Sequence, residues 1–228
     1  MKTKNYRKHY LKLGAITLLM VSCCWNITSA QGVWIKKADM PTKRNLFSVC
    51  STNGKIYAIG GSDIPTHSLS TVEMYDPLTD KWTEKENLPQ ACMNFAAAMI
   101  NGKIYVIGDS FGLNGIAYSS TYEYDPSLDK WFKKKDMPTP RIGASACAVN
   151  GKIYAIGGAF NNTLAGLSTV EEYDPETDTW TTKSNMRSAR FALAGAIVDG
   201  KIYAIGGAGQ ANERCNTVEV YDPATGFD

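Results

Sequence analysis

Histidine is nearly absent from this chain, at two residues in 228, and only His67 lies beyond the first thirty. Metal centres and Ser-His-Asp or Cys-His catalysis lean on imidazole, so a single histidine leaves little material for either. Cysteine does not fill the gap. Cys50, Cys92, Cys147 and Cys215 remain once the N-terminal segment is set aside, and none has C-x-x-C spacing. Four cysteines in a chain of this length do not make a disulfide framework either. No phosphate-cradling G-x-x-x-x-G-K-[ST] motif occurs. Sustained apolar periodicity of 3.6 residues is missing beyond the N-terminus, which argues against helices. The expectation is a chain with no metal and no cofactor.

What is present points to short strands and tight turns. Gly is frequent at 20 residues, and 12 Tyr with 5 Trp lift the aromatic share to 11%. The first thirty residues stand apart. Lys2, Lys4, Arg7, Lys8 and Lys12 precede an apolar stretch from Leu13 to Trp25, and Thr28-Ser29-Ala30 offers small residues for cleavage before Gln31. Thirteen apolar residues are too few to span a bilayer of ~30 Å as a helix. Residues 1–30 therefore read as a secretory signal peptide, which places the mature protein in the periplasm, at the cell surface or in the medium. An uncleaved anchor, or lipoprotein processing at Cys23, is the alternative and would bring in the membrane. The full chain carries +2, and five basic residues leave with the signal, so the mature part carries −3. That charge gives no global attraction to nucleic acid.

Self-similarity is the strongest signal. NGKIYAIGG at Asn53–Gly61 recurs as NGKIYVIGD at Asn101–Asp109, NGKIYAIGG at Asn150–Gly158 and DGKIYAIGG at Asp199–Gly207. Tyr-Asp-Pro recurs in phase at Tyr75, Tyr124, Tyr173 and Tyr221, and Trp34, Trp82, Trp131 and Trp180 follow at spacings of 48, 49 and 49. Each unit predicts four strands, here a to d. Strand a is a small-residue run ending at the Asn-Gly or Asp-Gly of a two-residue hairpin. Strand b, KIYAIGG, is apolar on both faces and so belongs between two layers. Strand c ends at the Asp-Pro turn, and strand d carries Trp, Lys and Glu as an exposed edge does. So small a sheet cannot bury its own faces, and the units must stack.

The double glycine after an apolar strand, the Tyr-Asp-Pro, and the Trp seven residues beyond that Tyr together resemble the kelch repeat over about residues 34–225. The resemblance implies an all-β propeller of four-stranded antiparallel blades around a central channel. The repeats fall at about residues 41–88, 89–137, 138–186 and 187–228, with residues 34–40 as an orphan outer strand. Two departures are visible: Gly108-Asp109 replaces Gly-Gly, and Asp228 stands where the fourth unit should have Trp. The orphan strand could complete the fourth unit, closing a four-bladed ring. Because kelch propellers commonly have six or seven blades, the chain as part of a larger propeller is the other main reading, and association with another chain to complete a ring is a third.

An antiparallel meander puts the b–c loops and the d–a connections at one end and the Asn-Gly and Asp-Pro turns at the other. The turns barely vary. The b–c loops do vary: Ser62–Ser70, Ser110–Ser120, Ala159–Ser168 and Ala208–Asn216 share little. Variable loops on a rigid scaffold are where binding resides. Their polar residues His67, Asn114, Asn161, Asn162, Gln210, Asn212 and Arg214 are candidate ligand contacts, and solvated loop positions otherwise. Asn161-Asn162-Thr163 is also a glycosylation sequon. Arg44, Arg141 and Arg190 share one repeat position on the d–a connections, with Cys92 as the fourth. By the resemblance they form an anion-binding group; otherwise they cap strands or pair with acids of the repeat architecture. Glu73, Glu171 and Glu219, with Tyr122 as the fourth, read as a blade-packing or inter-blade charge set.

The copper radical oxidases of this fold need two His, which the mature chain lacks. A sugar-active kelch enzyme such as a sialic-acid mutarotase or epimerase needs no metal and is the catalytic alternative, with Arg141 or Arg190 on a sugar carboxylate. The leading reading is an exported, non-catalytic scaffold for a protein or glycan ligand.

Overall fold

In the computed structural model, residues 32–64, 67–110, 116–161, 165–210 and 213–225 are described. The signal segment, Cys23, Asn114, Asn162 and Asn212 lie outside the described residues. Contacts divide the chain into residues 1–36 and residues 37–228, and the blades belong to the second unit.

Every repeat opens with the same hairpin. Asn53-Gly54, Asn101-Gly102, Asn150-Gly151 and Asp199-Gly200 all hold positive φ at both turn positions, which is the type I′ geometry that matches strand twist. The first blade consists of β1 (Ser48–Thr52), β2 (Lys55–Ile59), β5 (Val72–Asp76) and β6 (Lys81–Lys85), hydrogen-bonded in that order. A small extra hairpin, β3 (Ser62–Ile64) and β4 (His67–Ser68), decorates its b–c loop. The second blade runs β7 (Ala96–Ile100), β8 (Lys103–Ser110), β9 (Ala117–Asp125) and β10 (Lys130–Lys133). The third runs β11 (Ser145–Val149), β12 (Lys152–Ile156), β13 (Val170–Asp174) and β14 (Thr179–Lys183). In the fourth, β15 (Ala194–Val198), β16 (Lys201–Ile205) and β17 (Val218–Tyr221) make a sheet of three strands.

First strands of successive blades lie side by side: β1 by β7, β7 by β11, β11 by β15. The fourth strands, rich in Lys and Thr, are the exposed ones. Between blades the core is continuous. Tyr57, Ile59 and Val72 of the first blade pack on Phe95, Ile104, Val106 and Tyr124 of the second. Cys147, Tyr154, Ile156 and Val170 of the third meet Leu193, Ile202 and Ala204 of the fourth in the same way. A fully buried Ile or Val contributes about 1.5–3 kcal/mol, so each interface is apolar enough to hold two blades together.

Two polar devices repeat across these interfaces. Asp80, Asp129 and Asp178 accept the backbone N–H of Ala38, Glu86 and Lys135, while Trp82, Trp131 and Trp180 donate their indole N–H to the carbonyls of those same residues, all at 2.9–3.0 Å. Each tryptophan thus fastens its blade to the chain arriving from the previous one, which explains why these three tryptophans keep one repeat position. Secondly, Asn94 N–H donates to Leu46 carbonyl, Gly143 to Asn94 and Ala192 to Gly143, at 3.2, 2.9 and 2.7 Å. All four residues hold φ between 51° and 61°, a left-handed backbone that disfavours Leu and Ala by roughly 1–2 kcal/mol.

The double glycines are equally constrained. A Cβ on Gly157, whose φ is +62°, would lie 2.5 Å from the Arg190 carbonyl oxygen. Gly157→Ala is expected to cost more than about 2 kcal/mol, the left-handed backbone alone accounting for 1–2, and to appear as a lower urea midpoint at unchanged slope.

Residues 34–40, expected as an orphan outer strand, lie in no assigned strand. Among the described residues β17 pairs with β16 alone. β15 is exposed along its whole length, whereas its equivalents β7 and β11 have the next blade against them.

Candidate functional site

Backbone bridges gather the b–c loops and the d–a connections at one end of the blades. Asn45 pairs with Ser62, Leu69 with Cys92, Ile142 with Ala159, Leu167 with Arg190, and Phe191 with Ala208. The link also crosses between loops: Asn161 Oδ1 accepts the Ala117 N–H at 3.0 Å, tying the third blade's loop to the second's. His67 Nδ1 lies 2.7 Å from Asp63 Oδ1 on an exposed turn, and that contact holds the Asp63 carboxyl below its ordinary pKa. Leu46, Ile64, Ile116 and Phe160 are half exposed at the same end. Gln210 is exposed and Arg214 sits on an isolated bridge to Ala208. Apolar contact area therefore lies beside the polar loop groups, although residue types alone gave no reason to single it out.

The three arginines are placed differently from the loop residues. Their side chains are fully buried. Arg44 donates to the Gly60 and Thr71 carbonyls at 2.9 and 2.7 Å and to Glu73 Oε2 at 2.6 Å. Arg141 repeats this on Gly157, Thr169 and Glu171, and Arg190 on Gly206, Thr217 and Glu219. Each guanidinium bridges strands b and c of its own blade where they diverge into the loop. The Glu set is thus an intra-blade partner of the Arg set rather than an inter-blade one. Burial lowers the Arg141 pKa, and the neighbouring Glu171 raises it in opposition. Apart from Arg190 Nε, which has no hydrogen-bond partner among the described residues, the guanidinium donors already face internal acceptors, so these arginines shape the loop bases from beneath.

The second blade breaks this pattern at three positions together. Cys92 replaces Arg, Tyr122 replaces Glu, and Asp109 replaces the second Gly. With Asp109 there, β8 and β9 continue pairing to Ser110 and Ala117, a longer hairpin than in the other blades. Asp109 is buried; Ser120 donates to its Oδ2 at 3.0 Å, and Oδ1 has no hydrogen-bond partner among the described residues. Burial raises its carboxyl to about 6. Its charge raises the neighbouring Cys92 thiol and Tyr122 phenol in turn, each already pushed up by burial. The sequence departure at Asp109 was visible; its coupling to Cys92 and Tyr122 needed the alignment of blades in space. Cys50 and Cys147 are buried free thiols raised to about 11, small core residues as their repeat position implied. No cluster that could hold a metal occurs among the described residues.

A family model described as the KLHDC2/KLHL20/DRC7 Kelch-repeats domain matches residues 7–158, and the Kelch motif matches residues 140–187 and 189–226. The chain belongs to the kelch-repeat family. Kelch-repeat relatives include the F-box/kelch-repeat protein SKIP30 of Arabidopsis thaliana, 38% identical over 56 residues, covering 25% of this chain and 16% of that protein. The F-box/kelch-repeat protein At1g67480 of the same plant is 39% identical over 46 residues, covering 20% of this chain and 12% of its own length. Among solved structures YjhT superposes with a TM-score of 0.71 at 19% identity, over 80% of this chain and 64% of that one. This kelch chain thus spans a small part of those curated relatives and under two thirds of the YjhT chain. The likeness to YjhT establishes the propeller fold, and kelch-repeat propellers are protein-binding scaffolds in general.

Proposed function

We propose that this kelch-repeat chain is an exported, non-catalytic scaffold that binds a protein or glycan partner through its b–c loops and d–a connections. The observation that carries the reading is the gathering of four unlike loops at one end, three anchored by backbone bridges to a repeated frame and the second blade's by the Arg141 N–H on the Tyr118 carbonyl. Leu46, Ile64, Ile116 and Phe160 supply apolar contact there, and His67, Asn161 and Gln210 supply polar contact. Arg44, Arg141 and Arg190 support the loop bases. With their donors turned inward, nothing specific favours the sugar-carboxylate reading for a mutarotase or epimerase. Export rests on the basic and apolar character of residues 1–30, and the net charge of the remainder leaves nucleic acid without an attraction.

The test is an unbiased pull-down and glycan-array screen with residues 31–228, repeated with Ile64→Asp, Ile116→Asp and the opposite-end control Leu78→Asp. Loop variants are expected to weaken capture at least tenfold while the control matches wild type. Loss at Leu78 with retention at both loop sites would place binding on the wrong end. Intact-mass analysis of the exported protein should show Gln31 as the first residue; an acylated Cys23 overturns the cleavage part.

A further inference from the structure

Three of the four blades bury a guanidinium at the loop base, always on the same face of the sheet. Glu73, Glu171 and Glu219 stand opposite Ala58, Ala155 and Ala204 across strands b and c, and cross-strand partners share a face. Arg44, Arg141 and Arg190 lie there, each on its glutamate and on two carbonyls. The second blade presents this face through Val106 and Tyr122. Cys92 stands at the arginine position there, and burial keeps its thiol neutral.

A carboxylate is nonetheless present on that face. The β8–β9 register shifts between Ile107 and Asp109, around Gly108 with φ +61°, a bulge of the kind that re-aims the side chains beyond it. Asp109 therefore pairs with Tyr118 and shares its side of strand c, the side of Ser120 and Tyr122. Unshifted, it would follow Ile107, which packs towards the third blade. Ser120 donates to Asp109 Oδ2, while Oδ1 is buried without a hydrogen-bond partner among the described residues. This loop base thus holds a carboxylate without the guanidinium found in the other three.

A stand-in cation waits at its edge. Lys133 lies opposite Tyr122 on strand d, where the first and third blades have Glu84 and Thr182. Its ammonium sits over the Tyr122 ring, 4.9 Å from the centroid, and its charge pulls the Asp109 carboxyl down against the effect of burial. Its hydrogen bond, however, goes to Asp136. That pair is half exposed on both sides, and exposed pairs contribute at most about 1 kcal/mol. Ser120 and Tyr122 are partly exposed as well, so the face is open where Lys133 lies and the resident ammonium is cheaply displaced.

We infer that the second blade takes a guanidinium from its partner, an arginine side chain that displaces Lys133 from the Tyr122 ring and donates to Asp109. Arginine fits better than lysine, because its planar fork matches a carboxylate and stacks on an aromatic face. The chain's own arginines fill the equivalent place three times. The inference rests on the loop-end reading of function and narrows the partner to a protein segment with an exposed arginine.

The experiment is an NMR titration of the protein at pH 7 with capped Gly-Arg-Gly, Gly-Lys-Gly and Gly-Gln-Gly peptides, observing the Cys92 and Tyr122 signals. The arginine peptide is expected to bind most tightly and the glutamine peptide not at all. Asp109→Asn should weaken the arginine peptide at least about tenfold, as losing one member of a buried charge pair does. Lys133→Gln should tighten it about threefold or more, because the competing state is gone. Lys130→Gln, the same charge change at an exposed lysine outside the site, should leave it unchanged. Urea unfolding checks that every variant is folded. Equal responses to the arginine and glutamine peptides overturn the inference, as does undiminished binding in Asp109→Asn or weaker binding in Lys133→Gln. Partner capture by the loop end without peptide binding sinks this inference alone. Peptide binding without any capture sinks the loop-end reading instead.

Discussion

Replacing Arg141 with Leu is expected to destabilise the blades by about 3–5 kcal/mol, the cost of leaving a buried carboxylate without its cation. Glu171 is the carboxylate concerned; it is 1% exposed and receives the guanidinium at 2.6 Å. The Gly157 and Thr169 carbonyls lose their donors in the same step. The chain itself supplies the control. Its second blade folds with Cys92 and Tyr122 at these two positions, so the pair is dispensable when both members go together. Arg141→Cys with Glu171→Tyr is accordingly expected to recover more than half of the loss, giving a coupling energy of about 2 kcal/mol or more in a double-mutant cycle. Urea unfolding at pH 7 of wild type, Arg141→Cys, Glu171→Tyr and the double variant measures all four corners. If the two single losses simply add, the arginine and glutamate act independently and the pairing argument fails.

That outcome would also bear on ligand binding, since the arginines lie under the loops without reaching solvent. Arg141→Leu is expected to weaken partner capture only to the extent that it loosens the loop base. Ile116→Asp should weaken capture with no loss of stability. The two variants thus distinguish a supporting residue from a contacting one.

The repeat, its strands and its two ends were legible in the sequence because each rests on local chemistry. Asn53-Gly54 and its equivalents dictate type I′ turns, KIYAI dictates a strand buried on both faces, and antiparallel order then fixes which connections share an end. The fate of the arginines was not legible. A guanidinium at a loop base suits an external carboxylate and an internal one equally well by residue type, and only register decides. β2 and β5 pair so that Ala58 faces Glu73, which sets the carboxylate within reach of Arg44. Residues 34–40 lie in no assigned strand for a related reason: Trp and Lys in strand-d spacing describe only half of a ladder. The exposed apolar positions at Ile64, Ile116 and Phe160 had no periodicity to mark them, because loop exposure depends on where neighbouring loops end.

Asp109→Asn is expected to stabilise the protein by about 1–3 kcal/mol at pH 7 and by almost nothing at pH 4. In the native state burial raises this carboxyl to about 6, whereas an unfolded Asp titrates near 3.9. Between about pH 4 and 6 the native state therefore binds more protons than the unfolded state, and stability falls as pH rises through that window. Above it the penalty is fully present, on the order of 3 kcal/mol for a shift of about two units. Asn escapes the penalty and can still accept from Ser120, but its amide N–H groups need partners, which trims the gain. The groups around Asp109 act against each other: Lys133 lowers its pKa and Asp136 raises it, and these two are themselves an ion pair. Cys92 and Tyr122 sit uncharged at neutral pH, so they do not compensate. Urea unfolding of both proteins from pH 4 to 8 tests this directly, and a difference independent of pH would rule out the carboxylate as its source. A buried, half-satisfied carboxylate at the root of the longest b–c hairpin is a local conflict of the kind that accompanies function. If that is why it is there, the stabilised Asp109→Asn protein should bind its partner less tightly than wild type at pH 7, and the two should converge as Asp109 protonates below pH 6.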